Sequence, residues 1–211
     1  MKHFTAYSVE DGRNTKSDTW DISLKDLSEY YFAPLKACIK KADVGALMCS
    51  YNAINKTAAC ADKWMNVEVV RDHWGWDGGI ESDGGAISGI QDHGNAKTQA
   101  GAAQAAVEAT CDMECDSAYK NHLSKLEGDG RVSRAQLEAA VGRVFKGQFQ
   151  LGRFDPHSPL PGYDELHSDQ VYSAAHQRLA LHGPQQTIVL RPNRPASAEE
   201  RRVGPHDGSR R

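Results

Sequence analysis

No stretch of this 211-residue chain holds the roughly 18 consecutive apolar residues that a membrane helix needs, so the sequence excludes a helical membrane span. It has no Gly-x-Gly-x-x-Gly and no Walker pattern, which removes support for the nucleotide-binding α/β classes. A marked charge imbalance is also missing: the formal charge of −3 leaves no nucleic-acid footprint. Apolar residues make up only 39 %, low for a domain that buries a full core. The opening segment, Met1 to Tyr7, lacks the apolar centre of a signal peptide and therefore gives no compartment. Cys111 and Cys115 have three residues between them, but no second cysteine pair or matched histidines answer them. No metal is called for, and these read as small buried thiols. The five cysteines are an odd number, so at least one is unpaired or joined to another chain.

What is present alternates. Leu24, Leu27, Tyr31, Leu35, Cys38, Ile39 and Ala42 recur at helical spacing, with Ser23 and Asp26 resembling a capping box. Pro34 divides this into a short helix and a longer one that starts near the proline. Residues 45–51 form an apolar run of strand length. A helix is expected over 62–74 with Gly75 as its left-handed cap, and a strand over 79–83. The alanine-rich residues 97–109 read as another helix, and 112–115 as a third strand. From Ser133, a capping box with Gln136 and a staple of Val132 on Leu137 open a helix that ends before Gly152. A further helix over 169–182 and a strand at 187–190 complete the series. This alternation argues for a parallel α/β sheet, open or closed into a barrel, with chemistry at the C-terminal ends of its strands. Residues 191–211 hold six arginines against Glu199, Glu200 and Asp207, a local +3 that leaves −6 on the rest. With little aliphatic content, they read as a disordered tail.

Asp83 stands out in Gly-Gly-Ile-Glu-Ser-Asp-Gly-Gly-Ala-Ile (79–88), a carboxylate at a strand tip with almost no side-chain cover. It suits a nucleophile, a general base or a metal ligand. A turn aspartate or helix N-cap before a glycine pair suits the same residues. Asp77 and Asp92 are near in sequence but share no regular spacing with it. Trp64, Trp74 and Trp76 fall at helix ends, which favours packing over a sugar-stacking platform.

Six motifs then come in a familiar order: Lys-His-Phe-x-Ala-Tyr-Ser-x-Glu (2–10), Cys-Ser-Tyr-Asn-Ala-Ile-Asn (49–55), Trp-Gly-Trp-Asp-Gly (74–78), Ser-Asp-Gly-Gly-Ala-Ile (82–87), Asp-Met-Glu-Cys (112–115) and Leu-Gly-Arg-Phe-Asp-Pro (151–156). Together they resemble glycoside hydrolase family 3, nearest its β-xylosidase branch, from residue 2 to about 190. The resemblance implies retaining hydrolysis of terminal β-linked glycosides, in which one carboxylate attacks the anomeric carbon and a second carboxyl group serves as acid and then base. It implies Asp83 as nucleophile, Lys2 and His3 as ligands of sugar hydroxyls, and Tyr51 beside the nucleophile. A half-buried core aromatic is the rival reading of Tyr51. No cofactor, nucleic acid or membrane is implied, and the partner is an oligosaccharide or glycoside. The family's usual compartments are extracellular or vacuolar.

The resemblance also implies a partial (β/α)8 barrel of about four strand–helix units. Residues 1–155 are expected to form the C-terminal half of the family's N-terminal barrel domain, and 156–190 a linker toward a second α/β domain that supplies the acid/base. The chain then has the residues of a barrel fragment, which a complementary chain would complete; a sugar-binding or barrel-completing fragment without turnover is the alternative. Glu81 departs from the small or hydroxyl residue usual in the family. Strand alternation puts it on the same side as Asp83, two residues deeper. Thr110 and Asp116 stand at turns where the family has glycine.

Overall fold

The computed structural model describes residues 1–13, 19–156 and 166–189. They fall into two units, Met1–Pro156 and His157–Arg211.

In the first unit, β1 (Thr19–Trp20) precedes a continuous helical stretch: α1 (Leu24–Asp26), a π-helical turn Leu27–Tyr31 and α2 (Phe32–Ala42). Ser23 caps it, its hydroxyl oxygen accepting from the Asp26 N–H at 3.0 Å. The longer helix starts near Pro34 as expected: α2 begins two residues before it, directly after the π-helical turn. Then follow β2 (Ala46–Cys49), the short hairpin of β3 (Ala53–Ile54) and β4 (Thr57–Ala58), a π-helix Trp64–His73, and β5 (Gly79–Ser82). Gly75 ends the π-helix at φ +63°, as the sequence requires. The remaining elements are α3 (Ala86–Asp92), α4 (Gln99–Glu108), α5 (Ala118–Gly128) and α6 (Arg134–Gln150). The sequence reading missed α3, which starts without a side-chain cap, and α5, whose first N–H groups donate to the Glu114 carboxylate and not to the N-cap Ser117.

The sheet that matters for the site is parallel. β2 pairs with β5 from Ala46↔Gly79 through Cys49↔Ser82. Single parallel bridges extend it on both sides, Phe4↔Cys49 and Glu81↔Met113. Neighbours across the sheet are therefore successive along the chain, and each crossing is helical. The expected third strand at 112–115 is reduced to that bridge at Met113. One face is packed: Leu47, Cys49, Ile80 and Ser82 are buried, under a core that includes Phe4, Phe32, Met65, Trp74, Ile87 and Ile90. The Phe4 ring stacks on Phe32 at 5.8 Å, and Phe32 meets Trp74 edge to face at 5.4 Å. Trp74 and Trp76 are core residues, as expected. The other face carries Ala46, Met48, Gly79, Glu81 and Met113, all half-buried or exposed. A parallel sheet normally has both faces covered.

Two devices fix this scaffold. Asp112 is wholly buried and accepts from Arg71 Nη2 at 3.0 Å, Arg143 Nη2 at 2.7 Å and the Ile80 N–H at 2.9 Å. Cys49 and Cys60 form a disulfide that closes a loop carrying Tyr51. The remaining thiols differ from the expectation of small buried groups. Cys111 is buried and its thiol pKa is pushed well up by burial, but Cys115 is exposed. Thr110 does occupy a glycine-like backbone position at φ +58°, where Arg71 holds it by its hydroxyl and carbonyl oxygens.

α6 opens with the capping box read from the sequence, Ser133 and Gln136 bonding reciprocally, and Val132 is buried with Leu137 packed beside it. Ser133→Ala removes the oxygen that accepts from the Gln136 N–H at 3.2 Å. The expected result is a loss of about 1 kcal/mol in urea unfolding, with unchanged denaturant slope.

In the second unit a single turn, Ser168–Gln170, precedes α7 (Ala174–Val189). The expected strand at 187–190 is corrected: Thr187 to Val189 continue α7. A four-residue apolar run fits either state, and no strand of this unit is available to pair it among the described residues. Leu190 and the expected tail, 191–211, lie outside the described residues.

Candidate active site

Three neighbouring strand ends converge. β5 alternates, with Ile80 and Ser82 buried and Glu81 and Asp83 half-buried on the opposite side, as expected. The chain then turns sharply. The Asp83 carbonyl oxygen accepts from the Ala86 N–H at 3.0 Å, and Gly85 adopts φ +79°, a conformation any side chain would strain. Helix α3 is capped by Gly85 without a side-chain bond, so Asp83 is not its N-cap. The turn reading holds to this extent: Asp83 Oδ1 accepts from the Gly84 N–H at 2.8 Å.

The other carboxylate oxygen faces outward. Asp83 Oδ2 lies 3.0 Å from His3 Nε2. His3 precedes Phe4, whose N–H donates to the Met48 carbonyl at 2.8 Å, which fixes this segment beside β2. Tyr51 comes two residues after β2. Its hydroxyl donates to the Gly84 carbonyl at 2.8 Å and stands against the Asp83 carboxylate. Burial first, and then the Asp83 charge, push the Tyr51 pKa above its ordinary value, keeping the hydroxyl protonated. His93, at the end of α3, meets the Tyr51 carbonyl through Nε2 at 2.8 Å. Of the four residues singled out in the sequence, the fold brings Asp83, His3 and Tyr51 together. Lys2 is exposed, and among the described residues no hydrogen bond or ion pair joins it to Asp83.

Three further side chains belong to this constellation. The Tyr7 ring meets His3 edge to face at 5.3 Å and lies 5.9 Å from the Tyr51 ring. The Arg13 guanidinium covers the Tyr51 ring at 4.3 Å and donates to the hydroxyl of Tyr7 and to Glu10. Tyr7 in turn donates to Glu10 Oε2 at 2.8 Å. Tyr7 and Glu10 sit inside the Lys-His-Phe motif, so a signal existed for them. Arg13 lies in irregular chain with no periodicity to single it out. His3 and Tyr7 also border a cavity of about 500 Å³ whose other walls include Tyr30, Tyr31 and Pro34. On the far side, the exposed Cys115 thiol has its pKa raised, by burial first and then by the charges of Glu81 and Asp83. Asp116 approaches the glycine turn, with Oδ2 3.8 Å from where a Cβ on Gly85 would stand.

The arrangement is a carboxylate at an open strand end, with one oxygen held by backbone, the other met by an imidazole, and a protonated phenol alongside. It can attack an electrophilic carbon or hold a sugar hydroxyl.

The chain is 37 % identical over 185 residues to a probable exo-1,4-β-xylosidase of Aspergillus terreus, covering 83 % of this chain and 24 % of that protein. It is 36 % identical over 200 residues to an exo-1,4-β-xylosidase of Emericella nidulans, covering 90 % and 26 %. It thus spans about a quarter of the length of these curated relatives. Among solved structures, it resembles a family 3 exo-β-xylosidase in complex with a xylobiose aziridine activity-based probe, at TM-score 0.71 and 32 % identity over 76 % of this chain and 21 % of that one. A β-glucosidase from Listeria innocua matches at TM-score 0.70 and 29 % identity, over 82 % and 24 %. The model of the glycosyl hydrolase family 3 N-terminal domain matches residues 1–146. This corrects the expected placement in the C-terminal half of the barrel domain, since the match is to the N-terminal domain as such. On the strength of that match, the chain belongs to glycosyl hydrolase family 3.

Proposed function

We propose that this chain carries the nucleophile side of a retaining glycoside hydrolase that acts on terminal β-linked sugars, a β-D-xylosidase of the 1,4-β-xylan type. Asp83 is the nucleophile. A carboxylate oxygen attacks the anomeric carbon, the aglycone leaves, and the covalent glycosyl-enzyme is hydrolysed by water. The observation that carries this is the Asp83 carboxylate at the open end of β5, with His3 at 3.0 Å and the Tyr51 hydroxyl alongside. His3 and Lys2 orient sugar hydroxyls. Tyr51 stays protonated, its hydroxyl donating to the Gly84 carbonyl beside the Asp83 carboxylate. The second carboxyl group, acid and then base, comes from the family's second α/β domain. That step is worth about 10² to 10⁴ in rate, and an aglycone that leaves without protonation needs it least.

We further propose that residues 1–155 are part of a (β/α)8 barrel and that 156–190 run toward the second domain. The supports are the chain-ordered parallel pairing around β2 and β5 and the open face at Met48, Glu81 and Met113. The rest of the barrel covers that face. The likeness to the Listeria innocua enzyme favours a β-glucosidase as the second reading.

A 2-deoxy-2-fluoro-β-xyloside with a dinitrophenolate leaving group tests both. The expected outcome is a fluoroxylosyl adduct on the Asp83 peptide by mass spectrometry, formed faster than the adduct from the matching fluoroglucoside. Faster glucoside labelling selects the second reading. An adduct on another residue, or none from either sugar, overturns the assignment of Asp83.

A further inference from the structure

We infer that Arg13 is a positioning residue for the catalytic centre, holding the Tyr51 ring so that its hydroxyl stays between Gly84 and the Asp83 carboxylate. This rests on the proposed role of Asp83. Among the described residues, no hydrogen bond or ion pair joins Arg13 to Asp83. It acts through two tyrosines, with its guanidinium lying 4.3 Å from the centre of the Tyr51 ring and donating to the Tyr7 hydroxyl.

Geometry makes the case. Tyr51 is held at its hydroxyl by the Gly84 carbonyl at 2.8 Å, and at its backbone by His93 Nε2 at 2.8 Å. Between those ends the ring is free to tilt unless its face is covered. Asp83 lies at the hydroxyl end, so the covering group must come from elsewhere, and the 1–13 segment supplies it. Tyr7 packs against the ring from one direction, 5.9 Å between centres, and Arg13 lies over its face. Tyr7 also packs on His3, so the same clamp steadies the imidazole that meets Asp83 Oδ2. Glu10 holds the same guanidinium nitrogen that donates to Tyr7, through an ion pair, and also accepts from the Tyr7 hydroxyl.

An arginine suits this position better than a lysine. The planar guanidinium can stack on an aromatic face and still donate in its own plane, whereas an ammonium is a point charge on a flexible stem. The charges facing Tyr51 are then Asp83 at its hydroxyl, Arg13 over its ring, and the phenol of Tyr7. Asp83 raises the Tyr51 pKa and the Arg13 cation lowers it. Removing the cation therefore raises it further.

The test pairs two readouts on Arg13→Gln and Arg13→Lys in the full chain. The first is the titration of Tyr51, followed by the ring signal of ¹³C-labelled tyrosine and assigned with Tyr51→Phe. Arg13→Gln is expected to move the midpoint up by about half a pH unit and to broaden the ring signal. The second is labelling of Asp83 by the fluoroxyloside, expected to slow about threefold to tenfold, with the thermal midpoint unchanged. Arg13→Lys restores most of the titration shift but less of the rate, because charge returns without the stack. An unmoved Tyr51 signal in Arg13→Gln overturns the inference, as does full recovery of both readouts with lysine. Should the unsubstituted chain not label at all, the nucleophile assignment fails, while the Tyr51 titration still decides the role of Arg13.

Discussion

Asp83→Asn leaves the chain folded and slows formation of the glycosyl adduct by about 10⁴-fold or more, the scale seen when a catalytic nucleophile is removed. Both halves of this expectation follow from the site. The amide is nearly the shape of the carboxylate and keeps an acceptor oxygen for the Gly84 N–H, now 2.8 Å from Oδ1. The side chain is half-buried at a rim, so its replacement should change stability by about 0.5 kcal/mol or less. What is lost is nucleophilicity, since a neutral amide does not open the glycosidic bond. Glu81→Gln is the matched control: a carboxylate two residues earlier on the same strand and face. Its labelling rate is expected to stay within about threefold of the parent, because the deeper layers of such a sheet are packing space and not substrate space. Equal losses from both substitutions would mean that the general negative potential of this face, and not one placed oxygen, drives capture.

The contrast between Asp83 and Arg13 shows how far the sequence carries this site. Asp83 could be found because its local pattern, a strand tip feeding a glycine turn, constrains backbone and exposure together. Tyr51 closes the apolar run 45–51, while its place beside the nucleophile is implied by the family resemblance alone. His3 depends on knowing that its segment pairs with β2, which nothing local to Met1–Thr5 announces. The Arg13 clamp exists only in three dimensions: residues 7, 13 and 51 meet because the Cys49–Cys60 loop and the 1–13 segment fold onto one rim. The fold shows the same division. α6 is readable from its capping box and staple, both contained within six residues. α3 and α5 carry no such signal and are stabilised by burial of Ile87, Ile90, Ala118 and Leu126 against distant partners. Strand β2 is apolar enough to declare itself, whereas residues 112–115 give a single bridge because Asp112 turns inward to two arginines.

That inward turn sets up the largest expected effect on stability. Asp112→Ala should cost about 3–5 kcal/mol, read as a lower urea midpoint at constant slope. The Asp112 side chain is 0 % exposed, and those of Arg71 and Arg143 are 12 % and 21 % exposed. Removing the carboxylate leaves two cations facing each other in a poorly solvated space, with the Ile80 N–H unmatched as well. The Arg71 guanidinium already has its pKa lowered by burial, with Asp112 the main opposing influence. Asp112→Asn keeps an acceptor for Ile80 and should cost less, while a triple replacement of Asp112, Arg71 and Arg143 by apolar residues of similar volume should recover most of the loss. The consequence reaches the chemistry through the backbone. Asp112 Oδ2 pins Ile80, three residues before Asp83, while Arg71 and Arg143 hold Asp112 from the π-helix and from α6. Asp112→Asn, if it remains folded, should therefore slow labelling of Asp83 more than Ser133→Ala does, although Ser133 also acts on α6. Equal labelling rates in the two variants, measured well below their unfolding midpoints, would mean that the strand tip is held by β2 and the glycine turn alone.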